Sequence, residues 1–368
     1  MDGMRDATTL EKQMMARAAA LGRPINGSLE LTPLCTMDCG MCYVRLSREE
    51  MAQRGRLRTA EEYIALSQEM ARAGVLFLLL TGGEPLLFPG FQKLYTALKG
   101  MGFVLTVNTN GTLLDESWAD FFARHRPRRV NITLYGASAE TYEKLCRCPG
   151  GYEKAVKAVH LLKERGVDVK INGSATRLNR QDMAEIYRIG QELDVPVHTD
   201  CYMVPALHER GLPGEKQTRL DPEGAARAEV EALRAELGPE GLREYAARLT
   251  AEREKEEKEY GTGIFCLAGN CSFTVNWQGE LRPCVSLSAP SAPVFERGFE
   301  AAWQETREKA KGLRMNEKCG LCRLRPVCKV CPAAARLETG EDEGLPEYLC
   351  RNAEELYRLL REEQTEDE

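Results

Sequence analysis

The run VLFLLLTGGEP at residues 75–85 decides the fold. Its apolar part, 75–80, is far too short to cross a bilayer and shorter than a typical helix. It reads as a strand covered on both faces, as in a parallel sheet. The two glycines that follow lack a Cβ, so the backbone there can approach another group closely. A glycine-rich turn at the C-terminal end of a strand is where parallel α/β folds place their chemistry. Working outward, the same pattern repeats. Nearly continuous apolar runs at 29–34, 103–107, 130–134, 167–172 and 195–199 give six candidate strands with 75–80. Amphipathic stretches lie between them. One opens at Thr59 with Glu62 three residues on, a capping box. Another opens near Ser138, and a third runs from Gly151 through Val156, Val159 and Leu162 to Gly166. Six β/α units imply a parallel sheet with right-handed crossovers. Periodicity leaves two forms open, a doubly wound sheet and a barrel.

The remainder divides by composition. Residues 1–27 form an N-terminal helical extension, and 28–220 hold the β/α units. Residues 221–260 are rich in Glu, Arg, Lys and Ala and open with Asp221-Pro222, a cap and first-turn pair; they predict a charged, largely exposed helical connector. Residues 261–351 are rich in cysteine, with little helical periodicity. Within them Phe273, Val275 and Trp277 alternate before Gly279, the signature of a hairpin. A helix closes the chain over 352–368. With 368 residues, 43% hydrophobic and 29% charged, the profile is that of a soluble globular protein. The first residues lack an apolar signal-peptide stretch, and no run suits a membrane. A net charge of −6 argues against a nucleic-acid partner.

Fourteen cysteines without a secretion signal point to the reducing cytoplasm, where spaced cysteines bind metal more often than they form disulfides. Eleven of them fall into two groups. Cys35-x3-Cys39-x2-Cys42 follows the first strand directly. Cys266, Cys271, Cys284, Cys319, Cys322, Cys328, Cys331 and Cys350 lie in the last third. Three thiolates leave one iron of a four-iron cluster open, and eight can close two clusters. The bland alternative is zinc or reduced thiols, in a binding protein without catalysis. Cys146, Cys148 and Cys201 are left over. Buried thiols are the default for them, although Cys201 follows the sixth strand and could face a cleft.

With these residues in place, the region 28–200 resembles the radical S-adenosylmethionine (SAM) superfamily. Cys35-x3-Cys39-x2-Cys42 resembles its cluster motif. Gly82-Gly83-Glu84-Pro85, Asn108 to Gly111 and Asn131 to Gly136 resemble its later motifs in order. The resemblance implies a partial (β/α)6 TIM-like barrel and a cluster whose open iron is chelated by SAM. It also implies a 5′-deoxyadenosyl radical that abstracts hydrogen, and an electron donor of flavodoxin or ferredoxin type. It carries Gly82, Gly83, Glu84 and Pro85 over to the SAM methionine, and Thr133 and, less directly, Thr109 to the ribose or carboxylate. Met41 stands where the family usually has an aromatic, and its backbone would meet adenine. Lys170 and Asn172 are candidates to face cofactor or substrate.

The cysteine-rich end resembles the SPASM extension of that superfamily. Its interleaved arrangement implies one auxiliary cluster on Cys266, Cys271, Cys284 and Cys331, and another on Cys319, Cys322, Cys328 and Cys350. Cys331 arrives one residue early, with x2 in place of x3. The segment 133–152 resembles SPASM enzymes that form thioether or carbon–carbon crosslinks in ribosomally made peptides. Such enzymes commonly have an N-terminal peptide-recognition domain, and few residues precede the first strand here. A separate recognition protein, or direct binding in the barrel cleft, is then expected. Two other oxidations remain open. One is sulfatase maturation, for which Val285 stands where an Asp is expected; the other acts on a small molecule such as a porphyrin.

Overall fold

The computed structural model describes residues 7–204, 218–254 and 260–365. The six expected strands form as β1 (Asn26–Glu30), β2 (Phe77–Thr81), β3 (Val104–Thr109), β4 (Arg129–Thr133), β5 (Val169–Ser174) and β6 (Val197–Asp200). All neighbours are parallel, in the order β6-β5-β4-β3-β2-β1. A doubly wound sheet reverses its strand order at a switch point, and this one never does, so the units wind one way as in a barrel. The barrel stays partial. The free edge of β1 pairs with β7 (Ser272–Val275) instead of β6, in parallel, with Asn26 opposite Ser272. Antiparallel β8 (Glu280–Arg282) and β9 (Ala292–Pro293) extend that edge, with the expected hairpin turn between β7 and β8. The cysteine-rich region is therefore stitched into the barrel sheet.

The connecting helices are α1 (Thr9–Leu21), α2 (Arg48–Arg54), α3 (Ala60–Ala73), α4 (Phe91–Gly100), α5 (Glu116–Arg124), α6 (Ala139–Cys146), α7 (Gly151–Glu164) and α8 (Met183–Glu192). The capping box at Thr59 starts α3, and Ser138 caps α6. Outward-pointing strand residues such as Leu78, Leu80, Val107, Ile132 and Ile171 are fully buried against these helices in one core. The inward face differs from the expectation of apolar residues on both sides. Thr81, Asn108, Asn131, Thr133, Asn172 and Ser174 line cavities inside the barrel. Alternation with period two was present in β3 to β6, but the apolar half dominated their composition.

The connector also departs from expectation. It is a long helix, α9 (Pro222–Glu254), bent where Gly238 has φ 72° ahead of Pro239. After α10 (Phe299–Lys311) and α11 (Pro332–Thr339), the closing helix α12 (Glu347–Thr365) packs on α9. Ala226, Val230 and Leu233, at helical spacing, meet Ala353, Leu356 and Leu360 in a second core. Dense flanking charge masked that stripe in the sequence. Among the described residues, no helix is long and apolar enough to cross a membrane.

Candidate active site

The loop between β1 and α2 carries Cys35, Cys39 and Cys42 across the C-terminal end of the barrel. Backbone bonds pin it from two sides. Gly83 N–H donates to Thr32 O at 2.6 Å and Glu84 N–H to Leu34 O at 2.8 Å. On the other side, Asp38 N–H and Gly40 N–H, each at 2.9 Å, donate to the Cys146 and Leu145 carbonyls at the end of α6. The glycines after β2 exist for this contact. A Cβ on Gly83 would lie 2.4 Å from Leu34 O, and one on Gly82, at φ +144°, 2.5 Å from Thr32 O. The close approach that the sequence suggested toward a ligand is made first toward the cysteine loop.

Glu84 braces the same region. Its side chain is fully buried and accepts from Thr109 Oγ1 at 2.7 Å, Asn110 N at 2.9 Å and Leu86 N at 3.0 Å. Burial pushes its carboxyl up to about 7 against these bonds, which favour the charged form. Glu84 thereby ties the end of β2 to the end of β3. Asn110, held this way, donates to Thr36 Oγ1 at 3.0 Å and to Cys35 Sγ at 3.4 Å. Neither Glu84 nor Pro85 is among the residues that line the cavity beside the cysteine loop. Thr109 spends its hydroxyl on Glu84.

Above this brace lies a cavity of ≈ 400 Å³. Cys35, Cys39, Cys42, Met41, Gly82, Gly83, Thr109 and Thr133 all line it, so eight of the expected residues converge on one space. Lys170 does not. Its register partner is Asn131, one layer of strand residues below Thr133, which places it in a separate chamber. Sequence reasoning missed Asp200, Tyr135, Tyr202, Val204 and Ser286, which also line the cavity. Asp200 ends β6, so the strand-end rule pointed within one residue of it, at Cys201; that thiol turns instead into the core. Asp200, Tyr202, Val204 and Ser286 also face a second cavity of ≈ 310 Å³ that reaches Cys266, Cys331 and Lys329.

The donor chemistry suits a metal cluster. Cys35 and Cys42 accept backbone N–H bonds from Met37 at 3.4 Å and Arg45 at 3.3 Å, as cluster thiolates do. Without a cation, burial pushes the Cys35 thiol up to about 12, and a hydrogen bond with Cys146, then burial, raises Cys39. A bound cluster reverses that balance. The later cysteines sort into two sets. After burial, the thiols of Cys271, Cys284 and Cys331 are raised by a neighbour's charge, that of Cys266 for all three and also that of Cys331 for Cys284. Cys319, Cys328 and Cys350 are raised in the same way, by the charge of Cys322 for all three and also by that of Cys350 for Cys319 and Cys328. Among the described residues, no three His, Cys, Asp or Glu side chains are gathered closely enough for a single metal ion.

Residues 29–189 match the model of the radical SAM superfamily. They are a radical SAM domain, and the chain is a radical SAM enzyme. The AdoMet-dependent heme synthase of Methanosarcina barkeri is 27% identical over 85% of this chain and 92% of its own length. The sporulation killing factor maturation protein SkfB of Bacillus subtilis is 23% identical over 74% of this chain and 63% of its own. Among solved structures, Streptococcus suis SuiB bound to its precursor peptide SuiA superposes with a TM-score of 0.68 at 17% identity, covering 94% of this chain and 82% of that one. A radical SAM enzyme implies SAM and a four-iron cluster, and the fit of the three-cysteine loop and cavity agrees. Membership sets aside the non-catalytic zinc protein.

Proposed function

We propose that this radical SAM enzyme oxidises a ribosomally made peptide and joins two of its side chains by a thioether or carbon–carbon bond. The observation that carries the reading is the continuous wall of Asp200, Tyr202, Val204 and Ser286, which links the cysteine-loop cavity to the space beside Cys266 and Cys331. A substrate lying along that wall touches both regions. The second cavity also suits a peptide better than a polyanion. Among the described residues it presents Asp200, Glu229 and Glu236 against Lys329 and His198, and Lys329 is paired with Glu229 at 2.9 Å.

Cys35, Cys39 and Cys42 would hold a four-iron cluster that, with SAM, would supply the hydrogen-abstracting 5′-deoxyadenosyl radical. Joining two side chains removes a second hydrogen, as a proton and an electron. Asp200 is the one carboxylate lining the cysteine-loop cavity among the described residues, and it is placed to accept the proton. The eight later cysteines would hold two auxiliary clusters in the sets above, and the one on Cys266, Cys271, Cys284 and Cys331 would accept the electron. Gly82, Gly83 and Thr133 would contact SAM, with Met41 against its adenine. A flavodoxin- or ferredoxin-type donor supplies electrons. A separate peptide-recognition protein is a further partner on this reading.

A porphyrin substrate is the second reading, and the relation to heme synthases over most of both chains favours it. The acidic cavity opposes it, since porphyrin carboxylates would meet carboxylates there. Sulfatase-type maturation fits less well, because Val285 puts an apolar side chain into the cavity wall. The test is anaerobic incubation with SAM, reductant and either a cysteine-rich peptide encoded beside the gene or a porphyrin, read by mass spectrometry. A peptide product lighter by about two hydrogens, formed with 5′-deoxyadenosine, is expected; turnover of the porphyrin alone overturns the peptide reading.

A further inference from the structure

Cys146 was left over when the cluster cysteines were assigned. It is the last residue of α6 and is fully buried. What it is buried against sets it apart from an ordinary core thiol. The chain leaves α6 through Arg147, at φ 48°, so the last carbonyls of the helix need donors from elsewhere. The cysteine loop supplies two. Asp38 N–H donates to Cys146 O and Gly40 N–H to Leu145 O, each at 2.9 Å. Arg147 Nη1 reaches back to the Asp38 carboxylate at 3.0 Å. The residues on both sides of Cys39 are thus tied to the end of α6, which carries Cys39 against Cys146. The two thiols share a hydrogen bond. Cys39 is 7% exposed and Cys146 0%, so little water competes for that bond.

The chemistry of the pair depends on which sulfur carries the proton. A cysteine bound to an iron–sulfur cluster is a thiolate and can only accept. The shared proton then belongs to Cys146, and its S–H points at the Cys39 sulfur. Donors to cluster sulfurs favour the reduced cluster, which holds one more electron, and so raise its reduction potential. Backbone N–H groups stand in that relation to Cys35 and Cys42, from Met37 at 3.4 Å and Arg45 at 3.3 Å. At Cys39 a side chain from another element joins in.

We infer that Cys146 is a positioning residue of the radical SAM site: its thiol donates to the Cys39 sulfur of the cluster and raises the potential of that cluster. The consequence is a cluster that an external electron donor reduces more readily. The inference rests on the radical SAM assignment and on the clamp between α6 and the cysteine loop. It is independent of which substrate the enzyme oxidises.

The test is a redox titration of the anaerobically reconstituted full-length protein, without SAM, followed by electron paramagnetic resonance. The signal of the cysteine-loop cluster is identified as the one that changes when SAM is then added. Wild type, Cys146→Ala and Cys146→Ser are compared at equal iron content. Cys146→Ala should lower the equilibrium constant for reduction by about tenfold, which is about 59 mV for one electron, the worth of a hydrogen bond to a charged group. Cys146→Ser keeps an O–H donor and should stay within about threefold of wild type. A thiol that only filled the core would leave the potential the same with or without a donor. If Cys146→Ala fails to load the cluster, Cys146→Val, closer to the thiol in size, carries the comparison with Cys146→Ser. Equal potentials in wild type and the apolar variant, an equal fall in Cys146→Ser, or failure of all three variants to load the cluster overturns the inference.

Discussion

Replacing Glu84 with Gln tests the brace beneath the cysteine loop. Burial raises the Glu84 carboxyl from 4.5 to about 7 in the folded protein. Below pH 4.5 both states are protonated and the folded state has its full advantage. As pH rises through about 7 the folded carboxyl must ionise in its buried site, and that advantage is lost. The span corresponds to about 3 kcal/mol at about 1.4 kcal/mol per pH unit. Gln keeps the shape and cannot ionise, so it is spared this loss. It does turn an N–H toward the Asn110 N–H now bonded at 2.9 Å, an offset of about 1–3 kcal/mol that is nearly independent of pH. For 368 residues the unfolding entropy is about 0.8 kcal/mol/K, so the pH-dependent part is worth about 4 °C in Tm. The assay is anaerobic thermal unfolding of wild type and Glu84→Gln from about pH 5 to about pH 8, compared at each pH so that cluster lability and other titrations cancel. The Tm of the variant should gain on wild type by about that amount as pH rises. A difference that stays flat with pH would refute the argument.

Three further outcomes are expected. Gly83→Ala, whose Cβ would stand 2.4 Å from Leu34 O, should displace the cysteine loop and cut 5′-deoxyadenosine formation more than tenfold while far-ultraviolet circular dichroism stays unchanged, a local overpacking cost of about 1–3 kcal/mol. Cys331→Ala and Cys322→Ala should each remove about four irons, a Cys284/Cys331 double variant no more than that, and a Cys322/Cys331 pair about eight; iron and sulfide analysis would expose any other pairing. Leu356→Ala should cost about 2–5 kcal/mol in the α9–α12 core and make that pair protease-sensitive, with the visible absorbance of the cysteine-loop cluster intact.

Much of the barrel was legible because its strands announce themselves twice, by apolar runs and by the turn residues that end them. The apolar run at 75–80 and Gly82-Gly83 agree, and β2 forms there. The residues that touch the cavity were legible where a spacing or a glycine marked them. Asp200, Tyr202 and Val204 carry no such mark, since their position depends on which strand face turns inward and on the path after β6. Lys170 was misplaced by one layer for the same reason: period two gives the face of a strand but not the height of a residue along the barrel axis. The α9–α12 core was hidden for a different reason. Its stripe is built largely of alanine and valine amid dense charge, so average composition read as exposed helix although the helical spacing of Ala226, Val230 and Leu233 was there.

The pairing of β7 with β1 bears on how the two cysteine regions cooperate. Cys271 directly precedes β7, and its carbonyl accepts from Ile25 N at 2.9 Å at the start of β1. Cys35 lies five residues beyond the other end of β1. The two ends of that five-residue strand are roughly 16 Å apart. The shared wall of Asp200, Tyr202, Val204 and Ser286 joins the cavity of the cysteine loop to the one that reaches Cys266 and Cys331. On the proposed reading, a substrate bound along that wall would give up its hydrogen atom at one end and its electron toward the other, which is the arrangement an oxidative crosslink requires.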